Sequence, residues 1–586
     1  MNDGSLAGTE SDDGEPSKGG GEAIKGGPAS RVHAATGSAL VVLLTPELAG
    51  NAEEIAAASA RLDAQGGARV LLLARKAADL EVGRTVQTAG LEVQVLAAAG
   101  LTPPGYAARA VAMPEGSTPA ELDELALALS DAVLVAEGAS DTAFARLARA
   151  KGKPFVNGIV PLPAPPGAGP LQSCLDPKGK IGRRLGWLAG RLEQFALELL
   201  TLQRQGNPPT FEKSLAKLRR AVRGHWEPLP YFAPEGNGGN WRELVPDREA
   251  VADTAPIVAV FNRIDPSATF GASLHRDAIW LTHLFAALAV FAAVAGAIGL
   301  IAGEAGWAFI ELLLLGVIGA VVWAVIHYRL QDRWTASRYA AEQLRIARLC
   351  LPLLVVPPAL AQTDILTGEN GAATDDGGPK GVAGAKESTG AGEAAGRRAA
   401  LAQARRLRAI EEAALAAKRA VRDQGLPRFE AGSVTVAASR AWLELIVDDQ
   451  AAYHRKNYEK LEFAEHRLHR AVTAVFAATV LAVLVHFIWP DASGLLLVTA
   501  AGPALAAALH GASTRLSLVH RAEESKAVES TLNTLGKDVR ELAADLPAAA
   551  LLVKVRQLAQ RAAAAMSEEN KRWYDLLRRI ADGVPG

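Results

Sequence analysis

Four long apolar runs dominate the second half of the chain, at residues 278–302, 307–327, 471–489 and 494–510. A helix needs about 20 apolar residues to cross the hydrocarbon core of a bilayer, and a helix of a soluble protein normally keeps a polar face. Short turns, "GEAG" and "PDAS", separate the members of each pair. The pattern therefore predicts four transmembrane helices in two hairpins, rather than two buried hairpins of a soluble protein.

Basic residues beside the runs predict their orientation. Arg276 and Arg470 precede the first and third runs, each within the tripeptide Leu-His-Arg, whereas neither turn contains Lys or Arg. Since positive charge stays on the cytoplasmic side, both hairpins should cross outward and return, leaving both termini in the cytoplasm. Arg276 and Arg470 are then interfacial anchors at the lipid headgroups. The repeated tripeptide fits either a duplicated two-helix module or a shared need for a basic collar.

Two polar residues inside the runs are candidates for a function in the membrane. Glu311 lies one helical turn inside the second run. It is either an acidic residue favoured by the helix dipole near the outer headgroups, or a pore-lining or proton-carrying carboxylate. His283 in the first run is the second candidate. Small residues favour close helix contacts and assembly into a homo-oligomer; they are Ala293, Gly296, Gly299, Gly316 and Gly319.

Residues 38–160 alternate short apolar runs with amphipathic stretches. Near-continuous apolar strands separated by helices predict a parallel sheet with helices on both faces, an α/β Rossmann-like domain. Helices are predicted at 51–67, where Asn51 and Glu54 resemble a capping box, and at 119–130. Strands are predicted at 39–45, 69–74, 92–97, 131–138 and 154–160.

Ligands of such folds bind at the carboxyl ends of the strands. A predicted strand ends at Gly138, and Ser140, Asp141 and Thr142 then open a helix whose free N–H groups could hold a phosphate. The alternative is an ordinary N-cap by Ser140 or Asp141. Dinucleotide-binding and P-loop glycine motifs do not occur in the sequence, and no metal-ligand spacing occurs either. Catalytic residues stay unknown, because the carboxylates near strand ends, Glu47, Glu137 and Asp141, have no evident partner residue.

Composition excludes some functions. The 62 basic and 63 acidic residues nearly cancel, so that no global field favours nucleic acid as a partner. Cys174 and Cys350 are far apart, which is typical of two buried thiols in a reducing compartment rather than of a disulfide framework.

Composition also divides the chain. We predict a disordered tail (1–36), a Rossmann-like domain (37–205), a connector (206–265), a first two-helix hairpin with a cytoplasmic helix (266–358), a flexible linker (359–403), cytoplasmic helices (404–466), and a second hairpin with C-terminal helices (467–586).

The stretch "DAVLVAEGASDTAFARLARAKGKPFVNG" resembles the end of the SLOG class of Rossmann-like, nucleotide-sensing domains. That class usually has a Gly-Gly-Thr turn where this chain has Ala139, Ser140, Asp141 and Thr142, and its glycine-rich signature after the first strand is missing here. The resemblance implies a nucleotide-derived ligand at this turn.

The apolar pairs and their flanks resemble the SLATT proteins, which are bacterial two-helix membrane effectors associated with SLOG domains and conflict systems. The first matching segment, "RWTASRYAAEQLRIARLCLPL", carries Trp334, Arg338, Tyr339, Glu342, Leu344 and Arg345. The second, "WLELIVDDQAAYHRKN", carries Trp442, Gln450, Tyr453 and His454. The resemblance implies a multi-pass protein of the bacterial inner (plasma) membrane, in which a cytoplasmic sensor controls a pore-forming unit.

Three function classes follow from these patterns. The first is a ligand-gated membrane effector without turnover. The second is a membrane-tethered enzyme that processes a nucleotide or NAD, for which the strand ends would need a preorganised acid or nucleophile. The third is a regulated channel or transport component. No cofactor is certain from the sequence, and the lipid bilayer is the one partner that the apolar runs require.

Overall fold

The structure is a computed structural model, and it describes residues 40–45, 52–64, 68–88, 91–102, 104–105, 107–134, 142–151, 153, 155–156, 255–299, 303–358, 401, 409–410, 412–426, 433–490, 492, 494–543 and 546–581. The statements below concern these residues.

Six strands form one parallel sheet in the order β4–β3–β2–β1–β5–β6. They are β1 (Leu40–Leu44), β2 (Ala68–Ala74), β3 (Glu92–Ala97), β4 (Arg109–Ala112), β5 (Ala132–Leu134) and β6 (Phe155–Val156). The predicted parallel α/β sheet is therefore confirmed. The short edge strand β4 was not predicted, because four residues are too few to show a period.

Helices cover both faces of the sheet. They are α1 (Ala52–Ala64), α2 (Ala77–Thr88), α3 (Pro119–Leu129) and α4 (Ala143–Ala150). Successive strand residues point to opposite faces. Leu44 accordingly packs with Ile55 of α1 and Val86 of α2, and Leu43 lies in the cluster that contains Phe144 of α4. The α2 helix was not predicted.

The rest of the described chain is helical. Its elements are α5 (Ala255–Ala297), α6 (Gly303–His327), α7 (Leu330–Cys350), a 3₁₀ turn (Leu351–Leu353), α8 (412–424), α9 (Ser433–Ile488), α10 (Gly494–Leu516), α11 (Leu518–Arg540) and α12 (Ala548–Ala581). The four predicted apolar helices are present, and each is long and apolar enough to cross a membrane.

Two of these helices are much longer than a bilayer requires. The α5 and α9 helices have 43 and 56 residues, which correspond to about 65 Å and about 84 Å. The start of α5 lies in the segment 206–265 that we assigned to a connector, and the predicted boundary at 466 lies inside α9. Each helix therefore joins a polar part and an apolar part in one rod.

The helical part repeats one three-helix module. A long helix (α5 or α9) is followed by an apolar helix (α6 or α10) and then by a helix that packs back along the first (α7 or α11). In both modules a residue with left-handed backbone directly precedes the third helix, Arg329 (φ 52°) or Ser517 (φ 51°). Such a conformation is uncommon for residues other than glycine. This shared geometry favours a duplicated module over a shared basic collar.

The four apolar helices lie side by side in the order α6, α5, α10, α9. The two modules meet where α5 packs along α10. At this contact Gly511 leaves room for the His283 ring, since a Cβ atom at Gly511 would lie 2.9 Å from His283 Cδ2. Trp280 of α5 is buried in the same region, with Leu468 of α9 and Leu509 of α10.

One face of the sheet shares its hydrophobic core with the helical part. Leu43 of β1 and Leu71 of β2 belong to the same buried cluster as Phe261 of α5, Leu344 of α7 and Val421 of α8. The sheet and the long helices are thus not two bodies joined by a tether. The beginning of α5 is part of the core of the sheet domain.

The α8 helix returns to the sheet after the predicted linker, 359–403. Arg419 and Arg422 of α8 both pair with the carboxylate of Asp131, at 3.0 Å and 2.5 Å. Asp131 directly precedes β5, which places this contact at the amino ends of the central strands.

Candidate functional site

The strand order of the sheet reverses between β1 and β5. In open parallel sheets, a crevice forms at such a point outside the carboxyl ends of the strands. Thr45 follows β1 at this edge and is fully buried. Among the described residues, its hydroxyl group has no hydrogen-bond partner. A buried polar group without a partner costs free energy, so Thr45 is a candidate to bind a ligand here.

Thr142 lies at the same edge, after β5. It is the N-cap of α4, and its hydroxyl group accepts a hydrogen bond from the N–H of Ala145 at 3.0 Å. Of the four predicted ligand-binding residues, only Thr142 belongs to the described part of the chain. The other three, Gly138, Ser140 and Asp141, lie outside it. The predicted ligand site therefore stays a prediction. Asn51, Glu47, Glu137 and Cys174 also lie outside the described residues.

A second site lies where α5, α7, α9 and α12 meet. We call it the charge cluster; its members are Asp265, Arg338, Glu342, Arg345, Tyr453, His454 and Glu569. Glu342 is its centre, since Arg338 Nη2 lies 2.5 Å and Arg345 Nη1 lies 2.6 Å from its carboxylate oxygens. The side chains of Glu342 and Arg345 are 12% and 9% exposed, so these pairs are shielded from water.

Weaker contacts extend the charge cluster to the other helices. Arg345 reaches Asp265 of α5 at 3.6 Å. Arg338 donates a hydrogen bond of 3.4 Å to Tyr453 Oη of α9. His454 Nε2 lies 3.5 Å from a carboxylate oxygen of Glu569 on α12. The cluster thus connects two helices of the first module (α5 and α7), one of the second (α9) and the C-terminal helix α12.

The pairs of Glu342 with Arg338 and Arg345 favour the charged forms of these groups. Burial alone would raise the pKa of Glu342, but Arg338 and Arg345 outweigh burial and hold this pKa below its usual value. Burial likewise opposes the charge of Arg345, yet the neighbouring Glu342 carboxylate raises its pKa above the usual value. Such a group of ions fixes relative positions of helices, because removing one member leaves the others uncompensated.

The outer pair titrates differently. Burial, followed by repulsion from Glu342, raises the pKa of Glu569 to about 7. Burial lowers the pKa of His454 to about 4. Both groups lie well before the apolar part of their helices or outside it. Near neutral pH His454 is therefore uncharged, while Glu569 exchanges a proton with the solvent. Glu569 is half-buried, which gives that proton a path to water.

The charge cluster brings together residues from both segments that carry the SLATT resemblance. Arg338, Glu342 and Arg345 come from the first segment, and Tyr453 and His454 from the second. The remaining residues of the two segments serve other contacts: Trp334 stacks on His275, Leu344 and Trp442 lie in hydrophobic cores, Tyr339 packs against one, and Gln450 is buried.

Two members of the charge cluster were missed by sequence reasoning. Asp265 lies in the first turns of α5, and Glu569 lies in the C-terminal helix. Neither has a pattern of neighbours that would single it out. A weak signal existed for Asp265, since a carboxylate in "IVAVFNRID" is surrounded by apolar residues of a helix.

The charge cluster is joined to the sheet core through Phe261. The guanidinium carbons of Arg345 and Arg348 lie 5.5 Å and 5.8 Å from the centre of its ring. Phe261 is itself buried in the core that contains the β1 and β2 side chains. Phe261 thus contacts both the charge cluster and the sheet core.

A separate arginine connects the C-terminal helix to the sheet domain. Arg556 of α12 donates a hydrogen bond of 2.7 Å to Ser117 Oγ, just before α3. It also donates to the carbonyl oxygens of Leu353 and Leu354 after α7, at 3.2 Å and 3.1 Å. Three parts of the chain meet at this one side chain.

The four residues predicted to act in or beside the membrane lie apart from both sites. Glu311 is half-exposed on α6. His283 packs against Gly511, and its Nδ1 lies 2.8 Å from the carbonyl oxygen of Ile279. Arg276 is half-buried near Ser273, and Arg470 is exposed. Their predicted roles stay predictions.

Cys350 is buried at the end of α7, and burial raises the pKa of its thiol. Comparisons of the chain with protein-family models, with curated proteins and with solved structures found no match.

Proposed function

We propose that the chain is a multi-pass membrane protein in which the parallel-sheet domain senses a nucleotide-class ligand and controls the four apolar helices. Both hairpins would cross the membrane outward and back, with the sheet and both termini in the cytoplasm. The inner (plasma) membrane is the proposed location. The basic flanks and the absence of Lys and Arg from the turns support this orientation, and the four helices of sufficient length support the crossings.

The observation that carries the proposal is the continuity of α5. Ile257, Phe261 and Ile264 at its beginning belong to the core of the sheet domain. The same helix continues through Pro266 into its apolar part and ends at Ala297. Because the helix is continuous on both sides of this proline, a shift of the sheet would displace the apolar part as well. Only a ligand that binds two states with different affinity can drive such a shift.

We propose that the charge cluster is the place where a shift of α5 is passed on to the other helices. It holds α5, α7, α9 and α12 in one relative position at the base of the apolar helices. The attraction between its buried charges depends strongly on their positions, because it offsets the cost of removing them from water only while the charged groups are in contact. Two discrete packings of these helices, rather than continuous bending, would then correspond to the resting and the activated state.

The proposed ligand is anionic and lies at the β1–β5 crevice. The buried hydroxyl group of Thr45 and the N-terminus of α4, capped by Thr142, supply hydrogen-bond donors at the carboxyl edge of the sheet. Donors of this kind suit the phosphate groups of a nucleotide. We propose that this ligand is bound without being converted into a product.

Liposomes that contain the full chain provide the test. ATP, NAD and ADP-ribose are added one at a time, and ion release and product formation are measured in parallel. We expect one of them to start ion release and to be recovered unchanged. Liposomes that stay tight under all conditions, with a nucleotide consumed, would favour the tethered enzyme instead.

Thr45→Val is the matched variant for this test. Val has the same shape without the hydroxyl group, and within the described part of the chain this hydroxyl group has no partner, so the fold should be unaffected. We expect the half-maximal nucleotide concentration to rise about tenfold, as the loss of one hydrogen bond implies. Thr435→Val, at a buried position in the helical part, is the control and should respond like the unaltered chain.

A further inference from the structure

The contact between the two modules joins helices that are not equivalent. The α5 helix, the first of its module, packs along α10, the second of the other module. Under two-fold symmetry α9 would pack along α6 in the same way. Instead α6 and α9 lie at opposite ends of the row α6, α5, α10, α9. A contact between unlike surfaces leaves one copy of each surface unused, and unused copies can join further molecules head to tail.

The unused surfaces can be located by aligning the modules. When the modules are aligned on their Leu-His-Arg tripeptides, Ala477 of α9 takes the position of His283 of α5. When they are aligned on the left-handed residues Arg329 and Ser517, Trp323 of α6 takes the position of Gly511 of α10.

The side chains at these positions are complementary. Within the chain, the ring of His283 lies against Gly511, which has no side chain. In the unused pair the sizes are exchanged, because the large ring of Trp323 would face the small Ala477. A large residue opposite a small one lets two helices approach closely. The contact between α6 and α9 would thus again place a large ring against a small residue. The ring would lie on the second helix of its module, whereas His283 lies on the first helix of its module.

Both positions are accessible. Trp323 is 59% exposed, and Ala477 is exposed as well. Trp307 of α6 contacts Phe291 of α5, and the helix turns by about 160° between Trp307 and Trp323 at about 100° per residue. Trp323 therefore lies on the side of α6 that faces away from α5. Lipid would also cover an exposed apolar face, so the argument depends on the repeated contact and not on exposure.

We infer that α6 of one molecule packs along α9 of a second copy of this chain, with Trp323 over Ala477, and that this contact repeats the α5–α10 contact. Copies then assemble head to tail in the plane of the membrane. Since both modules run in the same direction, successive contacts rotate about one axis, and a rotation that divides a full turn evenly closes the assembly into a ring. The inference requires the proposed membrane embedding but no ligand.

Cysteine cross-linking tests this interface in the full chain. Trp323→Cys and Ala477→Cys are combined in a Cys174→Ser background, with the buried Cys350 retained. After oxidation of native membranes, denaturing electrophoresis should show a ladder of linked chains. Co-expression of the two single variants should give a linked dimer and nothing larger.

The matched control is the pair Val322→Cys and Phe476→Cys. Each position is one residue away at the same depth, is 43% or 63% exposed, and is turned by about 100° from the proposed contact. This pair should give less than about a fifth of the linked product. Extraction at alkaline pH, run in parallel, tests the membrane embedding separately.

Three outcomes would overturn the interface. They are the absence of linked product, equal linkage by the control pair, and a disulfide formed within one chain, which would mean that α6 and α9 of the same molecule meet. Release of the chain by alkaline extraction would overturn the membrane embedding instead, so that the two failures are distinguishable.

Discussion

Arg419 and Asp131 form a buried ion pair of 3.0 Å between α8 and the residue before β5. The same carboxylate pairs with Arg422 and accepts a hydrogen bond of 2.9 Å from the N–H of Val41. A segment that follows the predicted linker is thereby fixed to the two central strands of the sheet. The linker is expected to close a loop, since the chain leaves the sheet domain at α5 and returns to it at α8.

Asp131→Asn should destabilise the protein. The amide oxygen can still accept from Val41, but Arg419 and Arg422 would lose their buried counter-charge, which costs about 3–5 kcal/mol for a pair of this kind. We expect a lower unfolding midpoint of the full chain in detergent. Glu81→Gln, which removes an exposed pair with Arg84, is the control and should change the midpoint little. Equal effects of both variants would contradict a structural role of Asp131.

Glu569→Gln should change how stability depends on pH. The pKa of Glu569 is raised to about 7, so the folded protein binds more protons than the unfolded one below that pH. The contribution of Glu569 to the free energy of unfolding therefore falls as the pH rises from the ordinary pKa of a glutamate towards about 7, and it stays constant above that pH. Relative to the unaltered chain, the variant should gain stability between about pH 5 and about pH 8.

His454 opposes this trend at lower pH. Its pKa is lowered from 6.5 to about 4, so that stability from His454 falls as pH drops through this range. Because His454 lies 3.5 Å from Glu569, its contribution does not cancel between the two proteins. The comparison is therefore repeated with His454→Gln in both. Glu568→Gln, at an exposed neighbouring position, is the matched control. A pH profile of Glu569→Gln that parallels the control would show that Glu569 does not titrate near neutral pH.

Phe261→Leu should uncouple the sheet from the apolar helices. Leucine keeps most of the buried volume but removes the ring beneath Arg345 and Arg348. We expect nucleotide binding to be retained, while nucleotide-dependent ion release falls about tenfold, as a coupling loss near 1.4 kcal/mol implies. Phe463→Leu, which removes the ring beneath Arg467, is the control and should keep the response. Loss of binding itself would contradict the proposed role.

Gly511→Leu should separate the two modules. Even the first atom of a side chain at this position would lie 2.9 Å from the His283 ring. We expect a lower unfolding midpoint, and His283→Ala in the same chain should restore most of it by making room. Val498→Leu, at a site on α10 that is 39% exposed, is the control. Absence of rescue would indicate that Gly511 matters for another contact.

Impermeant maleimides should determine the orientation of the hairpins. A cysteine at Ala305, in the predicted outer turn of the first hairpin, should be labelled in intact cells. A cysteine at Gly378, in the predicted linker, should be labelled only after the membrane is permeabilised. The reverse labelling pattern would contradict the orientation that the basic flanks predict.

Local patterns were sufficient to predict the strands of β1, β2 and β3 and the four apolar helices. An apolar run is visible in the residues themselves, because its period follows from the geometry of one strand or helix. The same reasoning located Thr142 at a helix start. It missed β4 and α2, whose short or weakly periodic sequences are defined by their neighbours in the sheet.

By itself, the sequence determined which segments are strands or apolar helices, and that one tripeptide precedes both apolar pairs. Only the tertiary structure decided what these elements touch. Arg419 and Asp131 are 288 residues apart, and Asp265, Glu342 and Glu569 come from three helices. Such contacts depend on how several faces pack at once, and a single stretch of chain carries no record of that packing. The order α6, α5, α10, α9 was decided in the same way, by complementary side chains such as His283 and Gly511.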